Sequence, residues 1–180
     1  MKKILALILC LLVSFSAAAY AEAAYTYSEY AYDESMFAEI GGEWIAMEGL
    51  GLMFYLPDVY LAAELPEELA AIGVIAAFTT EDSSSTFTIS YGPALNVENN
   101  AAASIEELAA YYAAVGATNV DIIIVNGIPM IISMMPADDT ANYSVFFEDG
   151  TQCVLTFTPA SDANTALLAG LMSTSLMIAE

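Results

Sequence analysis

Three apolar runs in close succession, VDIIIVNGIPMIISMM, NYSVFF and TQCVLTFT, occupy Val120–Thr158. Ile, Val, Phe and Thr suit a pleated, half-buried surface. This stretch therefore reads as the strands on which the remainder must pack. Asp149-Gly150 separates the last two runs. A two-residue Asp-Gly loop favours a type I′ turn, in which both central residues take positive φ. That turn predicts pairing of Glu148 with Thr151, Phe146 with Cys153 and Ser144 with Leu155. Phe146, Cys153, Leu155 and Phe157 then share one face, and Tyr143, Val145, Phe147 and Val154 the other. Both faces are largely apolar, so cover on both sides is expected. Asn126-Gly127-Ile128-Pro129 interrupts the first run as a hairpin turn or a bulge, with Pro129 where no ladder donor is needed.

The flanking chain supplies further strands and the cover. Glu43–Glu48 and Leu52–Leu56 surround Gly49-Leu50-Gly51 at hairpin spacing, with Trp44 as a core anchor. Pro66-Glu67-Glu68 starts a short helix that Gly73 ends. Val74–Thr80 and Thr86–Tyr91 flank a polar loop, and Phe87, Ile89 and Tyr91 alternate with Thr86, Thr88 and Ser90. Ser104 and Glu107 form a capping box. Ile105, Leu108, Ala109 and Tyr112 follow it at helical spacing, and Gly116 stops the helix. Asp162–Met172 reads as a last helix with Leu167, Leu168 and Leu171 on its buried side. A short strand closes the chain within Ser173–Ala179.

The N-terminus has a different composition. Lys2-Lys3, the apolar run Ile4–Phe15 and the small residues of Ala19-Tyr20-Ala21 match a secretory leader, residues 1–21, with cleavage expected before Glu22. The run is shorter than the ~20 residues of a spanning helix. Leu9 before Cys10 does not suit lipidation. The expected destination is extracellular or the cell envelope. Residues 22–40, rich in Tyr, Ala and acids, read as a flexible linker. Residues 41–180 read as one domain.

Charge excludes whole classes of function. The chain has two basic side chains against 23 acids, no His, and a net charge of −21. Both lysines sit in the leader, so the processed chain holds no cationic side chain. Without His there is no Ser-His-Asp or Cys-His device. Without Lys or Arg there is no Schiff base and no ordinary phosphate clamp. Nucleic acid and anionic membranes are repelled, and zinc lacks ligands. Membrane insertion after cleavage is not expected. No cofactor is called for. Cys153 is the only thiol left after processing, read as a small buried hydrophobe, with a Cys153-linked dimer or a reactive thiol as alternatives.

Carboxylate chemistry survives this elimination. Asp138, Asp139, Glu148 and Asp149 are the candidate residues for weak Ca²⁺ binding, although they sit in turns at opposite ends of one strand and form no EF-hand spacing. A solvated acidic surface is the plainer reading. A glycosidase-like Asp/Glu pair is the catalytic alternative. The preferred function is a non-catalytic binding or assembly domain, with a protein partner that is basic or assisted by multivalent cations.

The element order, carried by LGLMFYLPDVY, SIEELAAYY, VNGIPMIIS, YSVFFEDGTQCVLTFTP and LLAGLMSTSL, resembles the PsbP-like superfamily across about Gly42–Met177. The resemblance implies an α+β, α-β-α sandwich built on an antiparallel sheet of six to seven strands. It also implies binding or assembly roles, as in extrinsic photosystem subunits, a GTPase-binding protein and bacterial envelope proteins. It brings no catalytic residues.

Overall fold

The computed structural model describes residues 25, 27–38, 40–94 and 103–179. In chain order its elements are β1 (Ser28–Tyr30), β2 (Gly42–Met47), β3 (Leu52–Pro57), β4 (Tyr60–Ala62), α1 (Glu67–Ala71), β5 (Val74–Thr80) and β6 (Thr86–Pro93). Then come α2 (Ile105–Ala114), β7 (Thr118–Val125), β8 (Ile128–Met135), β9 (Thr140–Phe146), β10 (Thr151–Thr158), α3 (Ala163–Thr174) and β11 (Met177–Ile178). The class is α+β. One eight-stranded sheet runs β1-β7-β8-β9-β10-β6-β5-β4, antiparallel except for β1 against β7. A separate three-stranded sheet runs β11-β3-β2. The expected leader lies outside the described residues.

The strand total exceeds the expected six to seven for identifiable reasons. Asn126 and Gly127 both take positive φ, 50° and 81°, so their dipeptide is a tight hairpin turn and splits the first apolar run into β7 and β8. β4 follows directly on the turn at Asp58-Val59, too short to show alternation. β1 comes from the stretch read as a linker, which is instead packed. Ser28–Tyr30 pairs with Ile123–Val125, and Phe37 is only 5% exposed. Its ring lies 5.1 Å from that of Tyr32 and 5.0 Å from that of Tyr55. Four tyrosines among alanines carry no strand period, and only the exposed edge of β7 gives this segment a partner.

The β9–β10 hairpin also departs from the expected turn. Of Asp149 and Gly150, only Gly150 has positive φ, 82°. Gly150 N–H donates to Phe147 O at 3.0 Å, and Phe147 N–H donates to Thr151 O at 2.9 Å. This is a type I turn followed by a left-handed glycine, the three-residue hairpin with a G1 bulge. The Asp149 carboxylate selects it by accepting from Thr151 N–H at 2.9 Å and Thr151 Oγ1 at 2.6 Å. Pairing accordingly moves by one residue, to Phe146–Gln152, Val145–Cys153 and Ser144–Val154. A one-residue shift exchanges the faces of a strand. Val145 and Tyr143 therefore join Cys153, Leu155 and Phe157, while Phe146, Ser144 and Asn142 join Gln152, Val154 and Thr156.

The two faces of the large sheet have different fates. The inner face, with Phe87, Met130, Leu155 and Phe157, packs on Phe54 of the small sheet and Met172 of α3 in the main core. The outer face is covered by α2 over β7 and β8, where Leu108 and Ala109 meet Ile122 and Ile131. The capping box at the start of α2 is complete. Ser104 Oγ accepts from Glu107 N–H at 3.2 Å, and Glu107 accepts from Ser104 N–H at 2.8 Å. Ser104→Ala is expected to destabilise the domain by about 1 kcal/mol, read as a lower urea midpoint at unchanged slope; an unchanged midpoint would show that the cap is idle.

α3 turns differently from the expected amphipathic stripe. Leu171 is buried and Leu168 partly so, but Leu167 is 72% exposed. Thr165, Ala169, Met172 and Ser173 face inward instead. Ala169 and Met172 join the main core, and Leu167 is left to solvent.

Candidate functional site

The candidate Ca²⁺ acids are not brought together. Asp138 and Asp139 lie in the turn before β9, and Glu148 and Asp149 in the turn after it. A strand of that length separates its ends by roughly 20 Å. Asp139 is occupied by Ser161, accepting from its N–H at 2.8 Å and its hydroxyl at 2.7 Å. Asp149 is occupied by Thr151. Among the described residues no group of three or more His, Cys, Asp or Glu side chains could hold a metal ion. The four acids are held at opposite ends of β9, as their places in the sequence implied.

The carboxylates that are perturbed all move in one direction. Asp82 accepts from the Ser84 hydroxyl at 2.7 Å, Ser84 N–H at 3.0 Å and the Thr80 hydroxyl at 2.8 Å, which lower its pKa to about 2. Asp33, Glu106, Asp149 and Asp162 are lowered too, each chiefly by a neighbouring hydroxyl or backbone N–H that stabilises the ionised form. A depressed folded-state pKa gives stability that is complete above the unfolded value and is lost as pH falls through the folded one. Carboxyl NMR of Asp82 is therefore expected to titrate near 2, with loop stability falling between the ordinary 3.8 and that point; titration at 3.8 would contradict the bonding at Ser84.

Asp82 borders a concavity. It is an open depression of about 830 Å³ where Asp58, Glu81 and Asp82 rim Val59, Leu61 and Leu167. Those three apolar side chains are exposed.

The second concavity follows from the hairpin register. α2 ends at Ala114, and Gly116, at φ 99°, turns the chain away before the helix can cover β10 and β6. The uncovered outer face becomes the floor of a cleft of about 870 Å³. Asn142, Gln152, Val154 and Thr156 form that floor. Tyr111, Tyr112 and Val115 form one wall, and Ile72 after α1 contributes to another. Among the described residues no Asp, Glu, Lys or Arg lines it.

Its polar groups are oriented from within. Tyr112 Oη donates to Gln152 Oε1 at 2.9 Å, and Thr156 Oγ1 donates to Asn142 Oδ1 at 2.8 Å. Both amide oxygens are thus engaged, and neither amide nitrogen has a hydrogen-bond partner among the described residues. Burial raises the Tyr112 pKa, with the Ser144 hydroxyl and the Gln152 amide pulling the other way. The phenol therefore stays protonated and donating at neutral pH. Beside the floor, on the same sheet face as Asn142, the Ser133 and Ser144 hydroxyls are buried without a hydrogen-bond partner of standard geometry among the described residues.

Sequence reading missed Asn142 and Gln152. The signal was present as small polar residues at period two, Asn142 and Ser144 in one run and Gln152 and Thr156 in the next. The expected type I′ register scattered them over two faces. Cys153, on the opposite face, is 1% exposed, and burial pushes its thiol up to about 12. A thiol so placed neither reacts readily nor reaches a second chain while β10 is in the sheet.

No family model matches the chain, and no curated protein does either. The resemblance to the PsbP-like superfamily is corrected by this result. Hairpins and helices in that order are shared by many antiparallel α+β proteins, and the quoted stretches contain no diagnostic motif. Among solved structures, the Ran-binding protein Mog1p of Saccharomyces cerevisiae is similar to this chain at 9% identity and a TM-score of 0.44. The match covers 78% of this chain and 97% of that one. A likeness at that level transfers no property. No helix among the described residues is long and apolar enough to cross a membrane.

Proposed function

We propose that this chain is a secreted or cell-envelope domain that binds a partner and performs no catalysis. The cleft carries this reading: it has the volume and mixed lining of a binding site, and its described residues include none of the carboxylates on which any chemistry here would have to rely. Export rests on the leader-like residues 1–21. The acidic rim around Val59, Leu61 and Leu167 suits a basic partner, since the described residues offer those acids no cation.

The alternative, a carboxylate-dependent hydrolase, would have to use Asp58, Glu81 and Asp82, the acids that share a concavity. A glycosidase needs one acid with a raised pKa; Asp82 is shifted the opposite way. A panel of aryl glycosides assayed between about pH 4 and 7 is expected to show no turnover above buffer. Turnover abolished by Asp58→Asn or Glu81→Gln would overturn the non-catalytic reading.

A further inference from the structure

We infer that the cleft over β10 binds an uncharged carbohydrate, the rings of a neutral oligosaccharide lying along the floor between Gln152 and Asn142. The inference rests on the reading of the chain as a binding domain and names the ligand class of its cleft.

Charge narrows the ligand first. An anion would find no cation in the lining, on a chain of net charge −21. A cation would find no carboxylate among the described residues of the cleft and many on the rest of the surface, so this site would not select it. A neutral ligand is the class for which the lining is complementary.

Hydrogen bonding narrows it further. Gln152 is only 6% exposed, and its oxygen is held by Tyr112. Its NH₂ has no hydrogen-bond partner among the described residues, and the residue borders the cleft. An amide donor that reaches solvent at a cleft can bond an acceptor oxygen of a ligand. Asn142, with its oxygen held by Thr156, offers a second NH₂. The two positions lie on facing strands, opposite Phe146 and Thr156 respectively. Four residues along β10 separate those registers by roughly 13 Å, a span that suits more than one sugar ring. Ser90 supplies a hydroxyl that can donate or accept.

The apolar part completes the match. Tyr111 and Tyr112 on one wall and Val154 in the floor present flat or low surfaces beside those amides. A pyranose ring is amphipathic, with C–H groups on its faces and hydroxyls around its edge. Its faces pack on aromatic rings while its edge takes amide donors. A fatty acid or an apolar peptide would fill the same volume but leave the Gln152 amide unpaired, at a loss of affinity.

The test is calorimetric titration of the full chain with neutral cello-, xylo-, manno-, malto- and chito-oligosaccharides, with oligogalacturonate as the anionic control. At least one neutral series is expected to bind and the anionic control is not. The dissociation constant is expected to change by less than about twofold between about 10 and 500 mM NaCl, because no charges meet. Tyr111→Ala and Asn142→Ala, each checked by thermal melting for an intact fold, are expected to weaken binding about tenfold. Asp82→Asn, in the far depression, should leave it unchanged. The inference is overturned if no neutral series binds at about 1 mM, if affinity falls with salt, if Asp82→Asn weakens binding while the cleft variants do not, or if a fatty acid or apolar peptide takes the cleft instead. Cleavage of a bound oligosaccharide would overturn the non-catalytic reading and leave the ligand class standing. Absence of binding removes the ligand class and leaves the non-catalytic reading intact.

Discussion

Phe87→Ala is expected to destabilise the domain by about 3–5 kcal/mol, the largest effect of any single truncation proposed for this chain. Phe87 is fully buried where the two sheets meet. Its ring stacks on Phe157 at 4.8 Å and on Phe78 at 5.3 Å, and meets Phe54 of the small sheet edge-on at 5.7 Å. Removing it opens a void lined by three other aromatic rings, too rigid to collapse into the space. A domain with a typical stability of about 5–15 kcal/mol would lose a large share of it. Urea unfolding should show a lower midpoint at unchanged slope. A loss below about 1 kcal/mol would mean that the sheets do not meet at Phe87.

The second large effect is expected at Asn126. Its backbone holds the positive φ that the β7–β8 turn requires. Its side chain accepts from Tyr32 N–H at 2.6 Å and donates to Thr174 O at 3.2 Å and Leu176 O at 2.7 Å. One amide thus ties together the segment after β1, the hairpin and the exit of α3. Asn126→Ala removes three hydrogen bonds and strains the turn, and a loss of about 3 kcal/mol is expected. Asn126→Gly relieves the backbone strain and still lacks the bonds, so it should fall about 1 kcal/mol short of the alanine variant. Amide exchange at Tyr32 should speed up in both. Equal stability of the alanine variant and the parent would show that this amide is not a junction.

Asn126 also marks how far the sequence could be read. Asn-Gly and Asp-Gly look alike as hairpin signals, and the expected type I′ turn falls at the first and not the second. The difference is the Asp149 carboxylate, which bonds forward to Thr151 and holds a type I turn. Local chemistry of that kind is visible in Asp-Gly-Thr once the side chain is allowed to compete for the backbone. The α2 boundaries were legible because the capping box and Gly116 are local signals. The β2–β3 and β5–β6 hairpins were legible for the same reason.

Long-range pairings were not legible. Ser28–Tyr30 becomes a strand only because β7 offers a parallel edge. Leu167 is exposed because α3 turns Thr165, Ala169, Met172 and Ser173 inward in its place. The cleft was hidden twice: by the register, and by the point at which α2 stops short of β10. What composition did reveal is that its lining would have to work without cationic side chains, because the chain's two lysines, Lys2 and Lys3, both lie at the N-terminus and the described residues hold none.

The central claim is that this acid-only surface keeps its charge away from the cleft. Paramagnetic relaxation of backbone amides by small nitroxides, one cationic and one neutral, measures this residue by residue. With both probes at equal concentration and about 100 mM salt, the cationic-to-neutral ratio of enhancements is expected to be severalfold higher at Asp82 and Ser84 than at Asn142, Gln152 and Val154. A ratio at those three cleft amides equal to or above that of the Asp82 loop would contradict the claim.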